Sequence, residues 1–292
     1  YTLIHYLERR WGVFFCMGGT GKLVEELSAL MQRHGIKIQL GADVDEIILD
    51  GKRATGVRLN GGEVLNADLV VFGGDPETCY KHLLPAKKTF SLPSIKKQYS
   101  MGLYVLYFGT RKLYPDVAHH SIWMGPRFQE LLSEIFDSKK MSEDFSLYVH
   151  RPTATDKSFA PEGCESFYVL CPVPNLLGDI NWETEGPILR DRIVEALEET
   201  ILPELSSVIE EVFWMTPEDF AKDYRSMHGA GFSIEPRLTQ SAWFRFHNRD
   251  RAIPNLYFVG AGTHPGAGLP GVVSSAKVVE ELLTGVEVGS GG

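Results

Sequence analysis

The stretch Asn255-Leu-Tyr-Phe-Val-Gly-Ala-Gly-Thr-His-Pro-Gly-Ala-Gly-Leu-Pro-Gly271 decides the fold. Asn255–Val259 reads as a strand, Gly260–Gly268 as a glycine-rich turn, and Leu269–Leu283 as a helix with Pro270 in its first turn. The glycines let backbone approach a planar or anionic ligand, and the helix start adds about half a positive charge.

An electron-rich cofactor suits that arrangement. A flavin suits it in particular, because a helix N-terminus stabilises the anionic ring formed on reduction. A purely structural glycine turn is the other reading these residues allow. Gly266-Ala-Gly268-Leu-Pro-Gly271 matches G-x-G-x-x-G, but six residues separate it from the strand, and no second strand or ribose-binding acid follows. It is not a complete dinucleotide fingerprint.

Working outward, Leu23, Leu27, Leu30 and Met31 form the apolar stripe of a helix between Gly19 and His34, closed by Gly35. Short β-like pieces follow at Ile36–Leu40, Val44–Leu49, Ala54–Leu59 and Glu63–Leu65, with Asp50-Gly51 and Gly61-Gly62 as turns of a meander. Ala67–Gly73 reads as a buried parallel strand. Between about Lys81 and Arg245 the texture changes. Strands are expected at Gly102–Phe108, Phe145–His150 and Ser166–Cys171, and helices near Phe128–Lys139, Pro187–Pro203 and Pro217–Arg225.

The 292 residues can bury a large core, and 43% hydrophobic with 23% charged residues is ordinary globular composition. A net charge of −9 opposes nucleic-acid binding, and no apolar run is long enough to cross a bilayer. Cys16, Cys79, Cys164 and Cys171 lack C-x-x-C spacing and read as reduced structural thiols of a cytosolic protein. Tyr1–Arg10 carries no initiator Met or signal pattern and reads as mid-helix, so an upstream segment is expected.

Several chemical-looking features read as structural. Gly18-Gly-Thr-Gly-Lys22 fails the phosphate-loop pattern, since Cys16 and Leu23 stand where Gly and a hydroxyl are required. His119-His120 should point to opposite faces of a strand with no carboxylate or Cys spaced to join them, so a surface or loop pair rather than a metal site is expected. Phe128, Leu131, Leu132, Ile135 and Phe136 form a helical face suited to core packing, or less well to lipid.

The stretch Asn255–Gly271 resembles the C-terminal signature of bacterial-type phytoene desaturases. So do Trp11–Gly21, Asp144–Tyr148, Ala160–Gly163, Glu185–Pro187 with Arg190–Arg192, Phe232–Pro236, Leu238–Arg245 and His247–Asp250. The resemblance implies an α/β flavoprotein of the amine-oxidase-like superfamily. A partial, Rossmann-like FAD-binding domain of discontinuous segments is expected beside a mixed α+β substrate domain. The implied division is 1–16 as the end of a substrate-domain segment, 17–80 as an FAD-domain segment, 81–244 as the substrate domain, and 245–292 as the C-terminal FAD segment.

The cofactor implied is FAD, with Gly260, Gly262, Thr263, His264, Gly268, Leu269, Pro270, Gly271 and Val272 on the flavin side and Val44 near the adenine. The activity implied is desaturation of phytoene and partly desaturated carotenoids toward lycopene, with quinone or oxygen as electron acceptor. Peripheral membrane contact from the cytoplasm is expected, because the polyene dissolves in lipid. A related carotenoid oxidoreductase or isomerase and an inactive fragment are the alternatives, and no catalytic base is identified. Members of the family begin with a strand, a G-x-G-x-x-G turn and a helix that hold the pyrophosphate. That element is not among these residues, so this chain alone is expected to hold FAD weakly.

Overall fold

Residues 2–85 and 97–285 are described by a computed structural model. Two helices come first, α1 (Thr2–Trp11) and α2 (Gly19–Arg33), then strands β1 (Val44–Asp50), β2 (Arg53–Leu59) and β3 (Val64–Asn66). The three strands form an antiparallel meander in the order β1-β2-β3, and the Asp50-Gly51 turn joins the first two. At Gly56 a Cβ would lie 2.2 Å from the Leu65 carbonyl oxygen, so only glycine lets β2 run this close to β3.

Strand β4 (Val70–Phe72) follows, then the single-turn helix α3 (Pro76–Thr78). Its partner is β10 (Leu256–Phe258), which pairs with it in parallel, Leu256 opposite Val70 and Phe258 opposite Phe72. Ile47, Ala54, Cys79, Leu84, Ile253, Leu256 and Phe258 share one core beneath both sheets. Burial pushes the Cys79 thiol up to about 12, and Cys79 and Cys171 are buried free thiols, whereas Cys164 is half-buried and Cys16 is exposed.

Three expectations in this half change. Ile36–Leu40 is not a strand, because no strand among the described residues pairs with it, and Leu40 is 89% exposed. The apolar stripe of α2 meets no core, with Leu27, Leu30 and Met31 all exposed. Val71 is also exposed, so β4 is covered on only one face.

The second half is built on a five-stranded antiparallel sheet in the order β6-β7-β8-β5-β9. Its strands are β5 (Gly102–Thr110), β6 (His120–Trp123), β7 (Leu147–His150), β8 (Glu165–Val173) and β9 (Ile209–Met215). The helices here are α4 (Phe128–Ser133), α5 (Trp182–Thr200), α6 (Leu205–Val208) and α7 (Pro217–Asp223). Alternation along β8 sends Phe167, Val169, Cys171 and Val173 into a core shared with Leu189, Ile193 and Leu197 of α5. Each such buried aliphatic or aromatic side chain contributes on the order of 1.5–3 kcal/mol. Helix α5 starts at Trp182 rather than Pro187, because the Asn181 side chain accepts from the Glu183 and Thr184 amides at 3.1 and 3.3 Å. Strands β6 and β9 were not expected; one is four residues long, and the other carries Glu210 and Glu211 on its exposed positions.

Helix α4 ends at Ser133 and continues as a π-turn from Glu134 to Ser138. Leu131 and Ile135 face the core, while Phe128 and Leu132 stay 43% and 40% exposed, so the apolar stripe is divided between core and surface. The Gly18–Lys22 turn packs on its own chain. Gly18 N–H donates to the Asp156 carboxylate at 2.8 Å, and Lys22 pairs with Glu25 and Glu26.

His119 lies in a loop and His120 is exposed, as a surface pair would be, but the expectation that they point to opposite faces fails on geometry. His119 precedes the first residue of β6 and escapes the strand alternation, and the two imidazoles stack with centroids 4.3 Å apart. The chain closes with helix α8 (Leu269–Thr284).

Candidate functional site

The parallel strands β4 and β10 both run into glycine. Gly260 adopts φ +104, and a Cβ there would lie 3.0 Å from the Gly73 carbonyl. Its amide donates to Ser275 Oγ at 2.8 Å, and that hydroxyl donates to the Val272 carbonyl at 2.6 Å. One serine thus fastens the start of the turn to the start of α8.

Beyond Gly260 the backbone is held by buried polar side chains. Asn248 Nδ2 donates to the carbonyls of Phe258 at 3.1 Å and His264 at 2.8 Å, and Thr263 Oγ1 donates to Gly260 at 3.1 Å. Arg245, only 3% exposed, donates to Ala261 O through Nε at 3.0 Å and Nη2 at 2.7 Å, and through Nη2 to Ile234 O at 3.1 Å. Burial pulls its pKa below the usual arginine value. Gly262 is wedged against Pro76, where a Cβ would come within 2.4 Å of the ring.

Beneath that contact lies Asp75. It caps α3 by accepting from the Glu77 amide at 3.0 Å and also accepts from Ser233 Oγ at 2.7 Å. Ser233 is held at φ +59, uncommon outside glycine, asparagine and aspartate. Burial raises the Asp75 carboxyl above the ordinary range, outweighing the hydrogen bonds that lower it.

The expected cofactor residues fall into three places. Gly260, Gly262, Thr263 and His264 form the braced turn, while Gly268, Leu269, Pro270, Gly271 and Val272 form the first turn of α8. Val44 lies on the meander instead, where it pairs with Leu59.

The residues present fit an electron-rich cofactor. His264 Nδ1 is buried with no hydrogen-bond partner among the described residues. The turn-shaping bonds of that residue come from its backbone, whose amide donates to Phe246 O at 2.9 Å, so the ring is left for another role. Helix α8 starts without a side-chain cap, and its N-cap Gly268, at φ +91, faces open space where a side chain would stand. Leu269 and Pro270 beside it are exposed.

A second surface lies on the sheet face opposite α5. Tyr107 stacks on Phe213 at 4.7 Å, and Tyr107 and Tyr148 each set an edge against Tyr168 at 5.4 and 6.1 Å. Apart from the exposed Phe213, these rings are partly buried, which suits an extended apolar ligand. The start of β5 bridges to the loop carrying Ala230 and Ile234, and Arg245 joins that loop to Ala261. The aromatic sheet and the glycine turn are therefore mechanically continuous.

Arg245, Asn248, Asn255, Ser275 and Asp75 were not singled out from sequence. Arg245 and Asn248 did lie inside stretches that carry the resemblance, and Asn255 opens the deciding stretch itself. For Ser275 and the Asp75–Ser233 pair no local pattern was available.

A braced glycine turn at the mouth of a parallel strand pair, joined to an aromatic antiparallel sheet, defines an α/β cofactor-dependent protein. The fold agrees with that of an oxidoreductase from Methanosarcina mazei, matched with a TM-score of 0.60 at 16% identity over 91% of this chain and 55% of that one. The chain belongs to the flavin containing amine oxidoreductase family, whose model matches residues 1–279. It is 50% identical over 287 residues to a lycopene-forming phytoene desaturase of a Paracoccus species, and 49% identical to one of Pseudescherichia vulneris. Each match covers 97% of this chain, which spans 57% and 58% of those relatives.

Proposed function

We propose that this chain is the flavin-facing and substrate-binding portion of an FAD-dependent desaturase that converts phytoene toward lycopene. The observation that carries this reading is the near-50% identity, over almost the whole chain, to two relatives named for that reaction. The braced turn with the free His264 Nδ1, and the aromatic face joined to it, support the reading chemically. FAD, when bound, would accept a hydride from one carbon of a saturated C–C bond, and the neighbouring carbon would release a proton to solvent, the C–H electron pair left behind forming the new C=C bond.

The residues proposed to hold FAD are those of the turn and the α8 start, from Gly260 to Val272, with Val44 at the adenine end. His264 offers its buried nitrogen to the cofactor, while Arg245, Asn248 and Ser275 keep the backbone in place. Tyr107, Tyr148 and Tyr168 form an apolar floor along which a polyene lies. Two domains are supported by a core confined to residues 104–214 and another joining residues 47–84 to 253–258, while a third cluster of Tyr99, Ala230, Ile234 and Phe246 spans the proposed boundary at 244.

Two further parts of the proposal are electron transfer to a quinone or to oxygen, and peripheral contact with the cytoplasmic side of a membrane. No helix among the described residues is long and apolar enough to cross a bilayer. Contact from the surface is supported by the exposed Leu238, Trp243 and Phe244, and by the lipid solubility of the substrate.

The test is a hybrid in which this chain replaces its matched segment of the Paracoccus relative, expressed in a bacterium that accumulates phytoene. Chromatography of the pigments is expected to show lycopene. A folded, FAD-loaded hybrid that leaves phytoene unchanged would overturn the proposal.

A further inference from the structure

At the outer edge of the five-stranded sheet three imidazoles meet. His120 of β6 lies directly opposite His150 of β7 in the antiparallel register, which places both on one face. His119, just before β6, joins them, its ring 4.3 Å from that of His120 and 4.9 Å from that of His150. One ring nitrogen from each residue lies within 4.8 Å of those of the other two. His119 Nε2 and His150 Nε2 are already 2.9 Å apart. Two ligands at about 2.0–2.1 Å from a tetrahedral ion stand only a few tenths of an ångström further apart than that.

Hydrogen bonds from the surroundings hold two of these near-parallel rings. His119 Nδ1 is bound to Thr155 Oγ1, and His120 Nδ1 to Tyr148 Oη at 2.7 Å, which leaves both Nε2 atoms for a shared centre. The edge of Phe15 packs on His119 at 4.7 Å and closes one side, while His120 is exposed and leaves a path for an ion and for water. Arg151, whose charge acts on His119, is committed to the buried Glu165 carboxylate at 2.8 Å.

We propose that His119, His120 and His150 bind a borderline divalent metal ion, Zn2+ foremost, with one coordination position left to water. Three imidazole ligands without a carboxylate favour Zn2+, Cu2+ or Ni2+ and disfavour Mg2+ and Ca2+. The site clamps β6 to β7 and adjoins the proposed polyene floor through Tyr148 and Tyr168, and its test reads metal binding alone, so its failure and that of the proposed desaturation are distinguishable.

Titration of the metal-free chain with Zn2+, followed by calorimetry, is expected to show one saturable equivalent that excess Mg2+ does not displace. Bound Zn2+ raises the unfolding temperature by mass action, and Co2+ in its place gives the visible absorption of a tetrahedral ion. The His120→Gln variant alters an exposed side chain and keeps the fold, and is expected to weaken Zn2+ binding at least tenfold. The His119→Gln/His120→Gln pair is expected to abolish it. Absence of saturable Zn2+ binding, or binding unchanged in both variants, overturns the proposal and leaves a hydrogen-bonded imidazole pair.

Discussion

Arg245 holds the carbonyl oxygen of Ala261 with two of its nitrogens, Nε at 3.0 Å and Nη2 at 2.7 Å. The same guanidinium reaches Ile234 O, so one buried side chain joins the cofactor turn to the loop beside β5. Arg245→Met leaves these carbonyls without donors in a dry site. The expected loss is roughly 2–4 kcal/mol from the cost of unsatisfied buried acceptors, read from the urea midpoint. In the hybrid enzyme the same substitution is expected to lower the FAD content of the purified protein. An unchanged midpoint would show that water replaces the guanidinium.

Asn255 joins three elements. Its amide accepts from Ala54 N at 2.9 Å and donates to Ala54 O and Asp68 O, both at 2.7 Å. Asn255→Leu is near in size but forfeits every one of these bonds, so a loss of about 2–4 kcal/mol is expected. Chemical denaturation would measure it, and a loss below the error of the midpoint would contradict the bracing role.

Two glycines separate crowding from entropy. A Cβ at Gly262 would sit 2.4 Å from Pro76 Cδ, whereas at Gly21, inside α2, nothing lies within 4 Å. Gly262→Ala is expected to destabilise by about 1–3 kcal/mol through overpacking. Gly21→Ala is expected to stabilise by about 0.5–1 kcal/mol through helix propensity. Thermal melts of both variants test the opposite signs.

Asp75 gives a pH dependence. Its folded-state pKa is raised by burial, so the fold binds its proton more tightly than the unfolded chain does. Its contribution to stability therefore grows as pH falls through the raised pKa, and levels off below the unfolded value of about 3.9. Urea midpoints at a series of pH values, compared with those of Asp75→Asn, should isolate this rise, which the variant lacks. Parallel curves for the two proteins would contradict it.

The last prediction concerns the cofactor. The 292-residue chain by itself is expected to retain little FAD on gel filtration, whereas the hybrid retains it in stoichiometric amount. The reason is that the helix start at Gly268 offers one anchoring point, and a dinucleotide pyrophosphate needs a cradle of its own. Flavin absorbance of the two eluted proteins decides the matter.

Local order along the chain determined much of this protein. Alternation marked β8, glycine after aliphatic runs marked the ends of β4 and β10, and the run from Asn255 to Gly271 announced strand, turn and helix in sequence. These features are legible because period and turn chemistry act over a few residues. The apolar faces of α2 and of residues 36–40 show the limit. The residue types were read correctly, but whether such a face is buried depends on which neighbour lies against it. Only the tertiary structure could place Asn255 against Ala54, 201 residues away, or Ser233 against Asp75. It alone brought His150 beside His119 and His120, because cross-strand register and one residue's escape from strand alternation set that meeting. Contacts of this kind arise from chain segments that meet only after folding, and no local pattern of residues encodes them.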